Sequence, residues 1–261
     1  MIIELPNFDP VALSFSIIKI RWYSLAYIFG ILFTFFSLKY HNKKTNLLSD
    51  KSIDDWMIFA ILSIMIGGRL GYVLFYNPSY FFKNPLEIFA FWQGGMSFHG
   101  GLIGASFGMW IFAKKFKIHF WKLTDILAVS APFGLLCGRL ANFINLELYG
   151  RVTNGNFGMI FPNSDGLPRH PSQLYEAGLE GLLLLTILMF CYFKTNFIKY
   201  PMRLTGIFLT GYGISRFIVE YFREPDYQIG LFFNFISMGQ ILSLPIAILG
   251  SYLVLKSVKK Y

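Results

Sequence analysis

Arg139, Arg216, Arg223, Glu176, Glu180, Glu220 and His99 lie within or beside long apolar runs of the chain. A charge in the hydrocarbon core of a membrane costs at least about 2.5 kcal/mol on insertion scales, so such residues by default face a polar cavity and mark function. Their spacing is regular. Tyr212, Arg216, Glu220 and Arg223 fall at i, i+4, i+8 and i+11, one stripe of a helix. Gln173, Glu176 and Glu180 form a second stripe, and Arg139, Asn142 and Asn145 a third, with Glu147 just beyond it. The planar fork of arginine matches phosphate oxygens. His99, the lone candidate base, suits deprotonation of an incoming nucleophile. The combination points to an anionic, phosphate-bearing substrate and lipid or phosphoryl-type chemistry. No H-E-x-x-H pattern and no cysteine–histidine metal spacing occurs, so neither a metal nor a cofactor is expected.

Blander roles compete for several of these residues. Arg216 and Glu220 could form a purely structural intrahelical pair. Arg69, in Gly67-Gly68-Arg69-Leu70-Gly71, could snorkel to headgroups or meet a glutamate. Asp125 reads as an interfacial or capping acid. The glycines around His99 (Gly95, Gly100, Gly101 and Gly104) suit close helix packing, and Trp22 and Tyr23 suit an aromatic belt.

The elements that must carry these stripes are transmembrane helices. Apolar residues make up 55% of the 261 residues and charged ones only 14%, against about 25% in soluble domains. Seven spans are expected, near residues 17–37, 54–76, 93–113, 123–145, 174–193, 204–222 and 236–256. Alternate connections hold fourteen and four Lys and Arg residues. The basic side is cytoplasmic, which puts the N-terminus outside and the C-terminus in the cytoplasm. The net charge of +9 is therefore a topology signal with some attraction to anionic membrane lipids, and nucleic acid is not an expected partner. In this topology all three stripes and His99 gather toward the outer leaflet. The whole chain, 1–261, reads as a single all-α polytopic membrane domain with an outer loop or cap at about 146–172, rich in Gly, Asn and Pro.

Five motifs occur in order: Ser97-Phe98-His99-Gly100-Gly101-Leu102; Gly138-Arg139-Leu140-Ala141-Asn142-Phe143-Ile144-Asn145; Gly150-Arg151-Val152; Arg169-His170-Pro171-Ser172-Gln173-Leu174-Tyr175-Glu176; and Arg216-Phe217-Ile218-Val219-Glu220-Tyr221-Phe222-Arg223-Glu224-Pro225-Asp226. With them the chain resembles the bacterial phosphatidylglycerol–prolipoprotein diacylglyceryl transferase family, from Asp9-Pro10 to Gly239-Gln240-Ile241-Leu242-Ser243. The resemblance implies transfer of the diacylglyceryl group of phosphatidylglycerol to the lipobox cysteine thiol of a prolipoprotein signal peptide. A thioether forms and glycerol 1-phosphate leaves, as the first step of lipoprotein maturation in the bacterial plasma (inner) membrane. The nucleophile is the substrate's, so Cys137 and Cys191 need no role.

By motif, the resemblance implies that Arg139 binds the lipid phosphate in a pocket shaped by Asn142 and Gly150. Arg216 would neutralise the phosphate, and His99 would be the base, with Tyr212 and Tyr23 among the catalytic residues. Glu147, Glu176, Glu220 and Arg223 would support them. Ala141 and Leu146 stand where the family has glycine, and both are expected to add bulk beside that pocket. The competing functions are a transporter or channel for an anionic solute, and a non-catalytic lipid-binding protein. The polar residues gather near one face and no convincing repeat appears, which argues against transport.

Overall fold

A computed structural model describes residues 2–15, 18–155, 157–162, 164–225, 231–232 and 236–259. In chain order the elements are strands β1 (Ile2–Glu4), β2 (Val11–Phe15) and β3 (Ile18–Arg21), then helices α1 (Trp22–Thr45), α2 (Asp50–Phe75) and the short α3 (Pro78–Lys83). Helices α4 (Phe98–Lys115) and α5 (Phe120–Ile144) follow, then β4 (Gly158–Ile160) and α6 (Ser172–Glu176). A wide π-helical turn, Ala177–Leu183, continues α6 into α7 (Leu184–Lys194). The chain closes with α8 (Arg203–Val219), β5 (Leu231–Phe232), β6 (Ile236–Ser237) and α9 (Met238–Lys259).

Among the described residues five helices are long and apolar enough to cross a membrane: Trp22–Thr45, Asp50–Phe75, Phe120–Ile144, the joined Ser172–Lys194, and Met238–Val258. The other two expected spans fall on α4 and α8, of 18 and 17 residues. The expected first span begins late. Residues 18–21 pair with β2 as an antiparallel hairpin, and the helix starts only at Trp22. The third is also shortened. A tight 3-10 turn at Phe91–Gln93 and the extended N-cap Ser97 precede α4.

The chain divides into two compact units, residues 1–37 with 125–261, and residues 38–124. In the larger unit, Phe33 of α1 stacks on Phe133 of α5 at 4.1 Å between ring centroids. Val129, Leu184, Leu188, Tyr192 and Leu204 form a buried apolar cluster joining α5, α7 and α8. Below it, Asp125 is fully buried. It accepts bonds from the Thr205 backbone N–H (2.7 Å) and hydroxyl (2.6 Å), so it caps the first turn of α8 from a neighbouring helix. The segment between α5 and α6 has its own cluster of Leu146, Met159 and Phe161, and its strand β4 pairs in parallel with β1.

In the smaller unit α2 and α4 lie against each other with almost no side-chain layer between them. A Cβ added to Gly71 would stand 2.7 Å from the Gly100 Cα, closer than real side chains tolerate. The Ser97 N–H donates to the Gly68 carbonyl at 2.8 Å, and the Ser97 hydroxyl caps α4 through the Gly100 N–H at 3.2 Å. Arg69 neither snorkels nor finds a glutamate side chain. It is 3% exposed, and its guanidinium donates to the backbone carbonyls of Glu87 (2.6 Å), Ile88 (2.9 Å), Gly94 and Gly95 (3.2 Å). It thereby ties down the segment that leads into α4.

Candidate active site

Arg139 of α5, Arg216 of α8 and Arg223, four residues past the end of α8, converge on Glu176 of α6. Arg139 Nε lies 2.5 Å from Glu176 Oε2. Arg216 Nη1 and Arg223 Nη1 reach Glu176 Oε1 at 3.1 and 2.7 Å. Arg216 Nη2 also pairs with Glu220 at 2.6 Å, and Arg223 Nε with the same oxygen at 3.3 Å. Glu180 sits deeper, 3.8 Å from Arg139 and 4.0 Å from Arg216. Glu176 and Glu180 are sealed from solvent, while the Arg139 and Arg216 side chains keep 19% and 17% exposure. The acids thus form a floor, and the arginine side chains over it stay partly exposed. Arg216–Glu220 is the expected intrahelical pair, but it is only one edge of this larger network.

The network is braced from outside the three stripes. Ser237 Oγ donates to Glu220 Oε2 at 2.7 Å. Ser237 and Gln240 cap the start of α9 reciprocally, each side chain accepting the other's backbone N–H. Arg151 Nε donates to the Arg223 carbonyl at 2.7 Å, fastening the segment between α5 and α6 to the chain just past α8. Gly150 lies in that seam. Its N–H donates to the His170 carbonyl at 2.8 Å, and a Cβ there would meet that same oxygen at 2.7 Å. Arg169 spans the seam's surface, bonded to Asp165 (2.8 Å), Glu224 (2.9 Å) and the Gly150 carbonyl (3.1 Å). The Arg169 guanidinium holds the Asp165 carboxyl below its ordinary pKa, and partial burial lowers that of His170.

Beside the network a polar cleft of about 420 Å³ opens between Arg21, Tyr23, Ser24, Asn142, Asn145, Glu147 and Leu148. Glu147 Oε1 accepts from the side-chain amides of Asn142 (2.8 Å) and Asn145 (3.3 Å). The buried Gln173 amide donates to the Glu147 backbone carbonyl at 2.6 Å. The Tyr23 hydroxyl lies 3.3 Å from that of Tyr27, one turn along α1.

The structure therefore brings Arg139, Arg216, Arg223, Glu176 and Glu220 into one network and Tyr23, Asn142 and Glu147 into one cleft. Arg139 is not among the cleft's lining residues. Gly150 shapes the seam with His170 and Phe222. Tyr212 packs against the apolar cluster one turn before Arg216. His99 falls in the first turn of α4, but its side chain lies outside the described residues. Leu146 does not crowd the cleft as expected. It takes the left-handed φ of 56° that glycine would favour, and its side chain is buried against Met159 and Phe161. Ala141 is buried as well. Sequence reasoning missed the roles of Arg21, Ser24, Arg151 and Ser237. Only the Ser237-x-x-Gln240 spacing carries a local signal, that of a helix cap.

Several long apolar helices define a multi-pass membrane protein, and it carries partly exposed arginines over buried carboxylates. More particularly, the chain belongs to the prolipoprotein diacylglyceryl transferase family, whose model matches residues 10–256. It is 51% identical over 253 residues to the phosphatidylglycerol–prolipoprotein diacylglyceryl transferase of Rickettsia rickettsii strain Sheila Smith, covering 97% of this chain and 98% of that protein. The enzyme of the same name from Rickettsia conorii is 51% identical over the same shares. That of Rickettsia canadensis is 50% identical over 256 residues, 98% of this chain and 99% of that protein.

Proposed function

We propose that this chain moves the diacylglyceryl group of phosphatidylglycerol onto the lipobox cysteine of a prolipoprotein, releasing glycerol 1-phosphate. The observation that carries this reading is the convergence of the motif arginines Arg139, Arg216 and Arg223, in a chain half identical over nearly its full length to proteins named for that activity. Arg139 and Arg216 hold the lipid phosphate by their accessible edges, while Glu176, Glu220 and Arg223 fix their direction. Tyr23, Asn142, Gly150 and Glu147 position the headgroup. His99, assisted by Tyr212, takes the proton from a thiol whose ordinary pKa is about 8.5. The thiolate attacks the lipid's glyceryl carbon. The C–O bond breaks toward the phosphate, and fixed guanidinium groups stabilise the charge gathering there.

The site works at the outer leaflet of the bacterial plasma membrane, in a single domain of seven spans with the N-terminus outside and the C-terminus in the cytoplasm. The shorter helices α4 and α8 are the third and sixth spans. The outer segment, residues 146–172, caps the site.

The test uses protein purified in detergent, phosphatidylglycerol and a lipobox peptide, with mass spectrometry of the peptide. A cysteine-dependent diacylglyceryl mass gain, lost in Arg139→Ala, is the expected result. Solute flux into sealed vesicles without any modified peptide would replace the reading by transport. A folded His99→Gln variant that turns over like the wild type would remove the base from the mechanism.

A further inference from the structure

We propose that Arg21, which lines the same cleft as Glu147, is the subsite for the departing glycerol phosphate. The inference rests on the transferase reading above and starts from a count of charges. Three guanidinium groups, of Arg139, Arg216 and Arg223, face three carboxyl groups, of Glu176, Glu180 and Glu220. With all six ionised, the network carries no net charge of its own.

The reaction creates charge. The substrate is a phosphodiester with one negative charge. Breaking the C–O bond leaves its electron pair on the phosphate oxygen, the thiol sulfur takes the carbon, and the thiol proton goes to the base. The product is a phosphomonoester, whose second ionisation lies near pH 6, so it approaches two negative charges at neutral pH. A positive charge beyond those balanced by the network's own carboxylates would offset the added charge where that product sits.

Seven of the eight arginines are committed. Arg69 is held by carbonyls, and Arg139, Arg216 and Arg223 by carboxylates. Arg151 is held by the Arg223 carbonyl, Arg169 by Asp165 and Glu224, and Arg203 by Ser257. Among the described residues Arg21 is the one arginine whose side chain has neither hydrogen bond nor ion pair, and it lines the polar cleft. The antiparallel pairing of β2 with β3 places it there. Arg21 ends β3, in register with Val11, and the next residue opens α1.

The rest of the cleft suits the other half of the same ligand. Glu147 is an acceptor steadied by two asparagine amides, fit for glycerol hydroxyls. It would repel a phosphate, which assigns the phosphate to the Arg21 side. A ligand with a dianion at one end and hydroxyls at the other matches this polarity.

The experiment compares Arg21→Gln and Arg21→Lys with the wild type, measuring the KM for phosphatidylglycerol, kcat, and inhibition by added glycerol 1-phosphate between pH 5 and 8. Arg21→Gln is expected to weaken glycerol phosphate inhibition by about tenfold, the size of one charge-assisted contact, and to lower kcat, with the phosphatidylglycerol KM little changed. Wild-type inhibition should strengthen as the pH rises through the phosphate's second ionisation. That rise should flatten in Arg21→Gln and survive in part in Arg21→Lys. Unchanged inhibition in Arg21→Gln would overturn the proposal. So would an equal rise in the phosphatidylglycerol KM, which would make Arg21 a contact of the intact lipid headgroup. Calorimetric titration of the resting protein with glycerol 1-phosphate needs no turnover. A wild type that forms no thioether defeats the transferase reading, whereas equal glycerol phosphate affinity in wild type and Arg21→Gln defeats the subsite itself.

Discussion

Arg69 and Arg139 are both arginines of membrane-spanning helices, and the structure treats them in opposite ways. Arg69 spends Nε and both terminal nitrogens on backbone carbonyls and is almost wholly buried. Arg139 meets carboxylates that also serve other arginines, and its side chain stays partly exposed. Carbonyl dipoles take up four of the five N–H donors of Arg69, which leaves almost nothing for a ligand. Shared carboxylates fix the group's position and leave donors over. The identity of the partners therefore separates an arginine that holds a backbone from one that can hold a substrate.

The comparison can be broken at both ends. Arg139→Ala should cost the largest effect, a loss of about 100-fold or more in thioether formation, the scale of removing a preorganised donor from a developing anion. Arg139→Lys should recover only part of it, since an ammonium cannot reproduce the fork. Glu176→Gln leaves three guanidinium groups short of their common acceptor. Removing one partner of a buried pair typically costs about 3–5 kcal/mol, so its melting temperature should drop well below the wild type's.

Arg69→Lys should be milder and different in kind. It should cost about 1–3 kcal/mol through unpaired carbonyls, with faster amide exchange in residues 87–97 and a smaller fall in rate per folded molecule than Arg139→Ala. If Arg69→Lys abolished turnover while those amides stayed protected, the division drawn here would fail.

The smallest effect belongs to the surface pair of Asp165 and Arg169. The folded Asp165 pKa is depressed, so the pair's contribution is present above the ordinary aspartate range and is lost as the pH falls through the folded value. Asp165→Asn should lower the melting temperature slightly at neutral pH and not at all in strong acid.

The arginine network was legible in part, because helical periodicity places Tyr212, Arg216 and Glu220 on one stripe; α8 ends at Val219, so Arg223 reaches Glu176 from beyond the helix and not from the expected stripe. The partner of Arg69 was not legible, because carbonyls carry no residue identity. The start of α1 was missed although Ile18-Lys19-Ile20-Arg21 alternates as a strand should. Its apolar residues were absorbed into the hydropathy of the run that follows. The parallel pairing of β1 with β4 joins three-residue strands more than 150 positions apart, and no local pattern encodes such a contact. Leu146 was expected to crowd the cleft because a glycine-type position says nothing about where a leucine placed there would point.

The wide turn at Ala177–Leu183 bears on chain length. Positions four apart on a regular α-helix drift by about 40° per step, so Glu176, Glu180, Leu184, Leu188 and Tyr192 would wind round to opposite sides. The wider winding of the π-helical turn takes back part of that drift. The acids can then meet Arg139 and Arg216 while the residues after them still pack on α8. Removing one residue here would turn one end of the helix by about 100° against the other. Either the floor of acids or the apolar seam would lose its partner. Conservative replacements in this stretch can be absorbed; a single-residue deletion cannot.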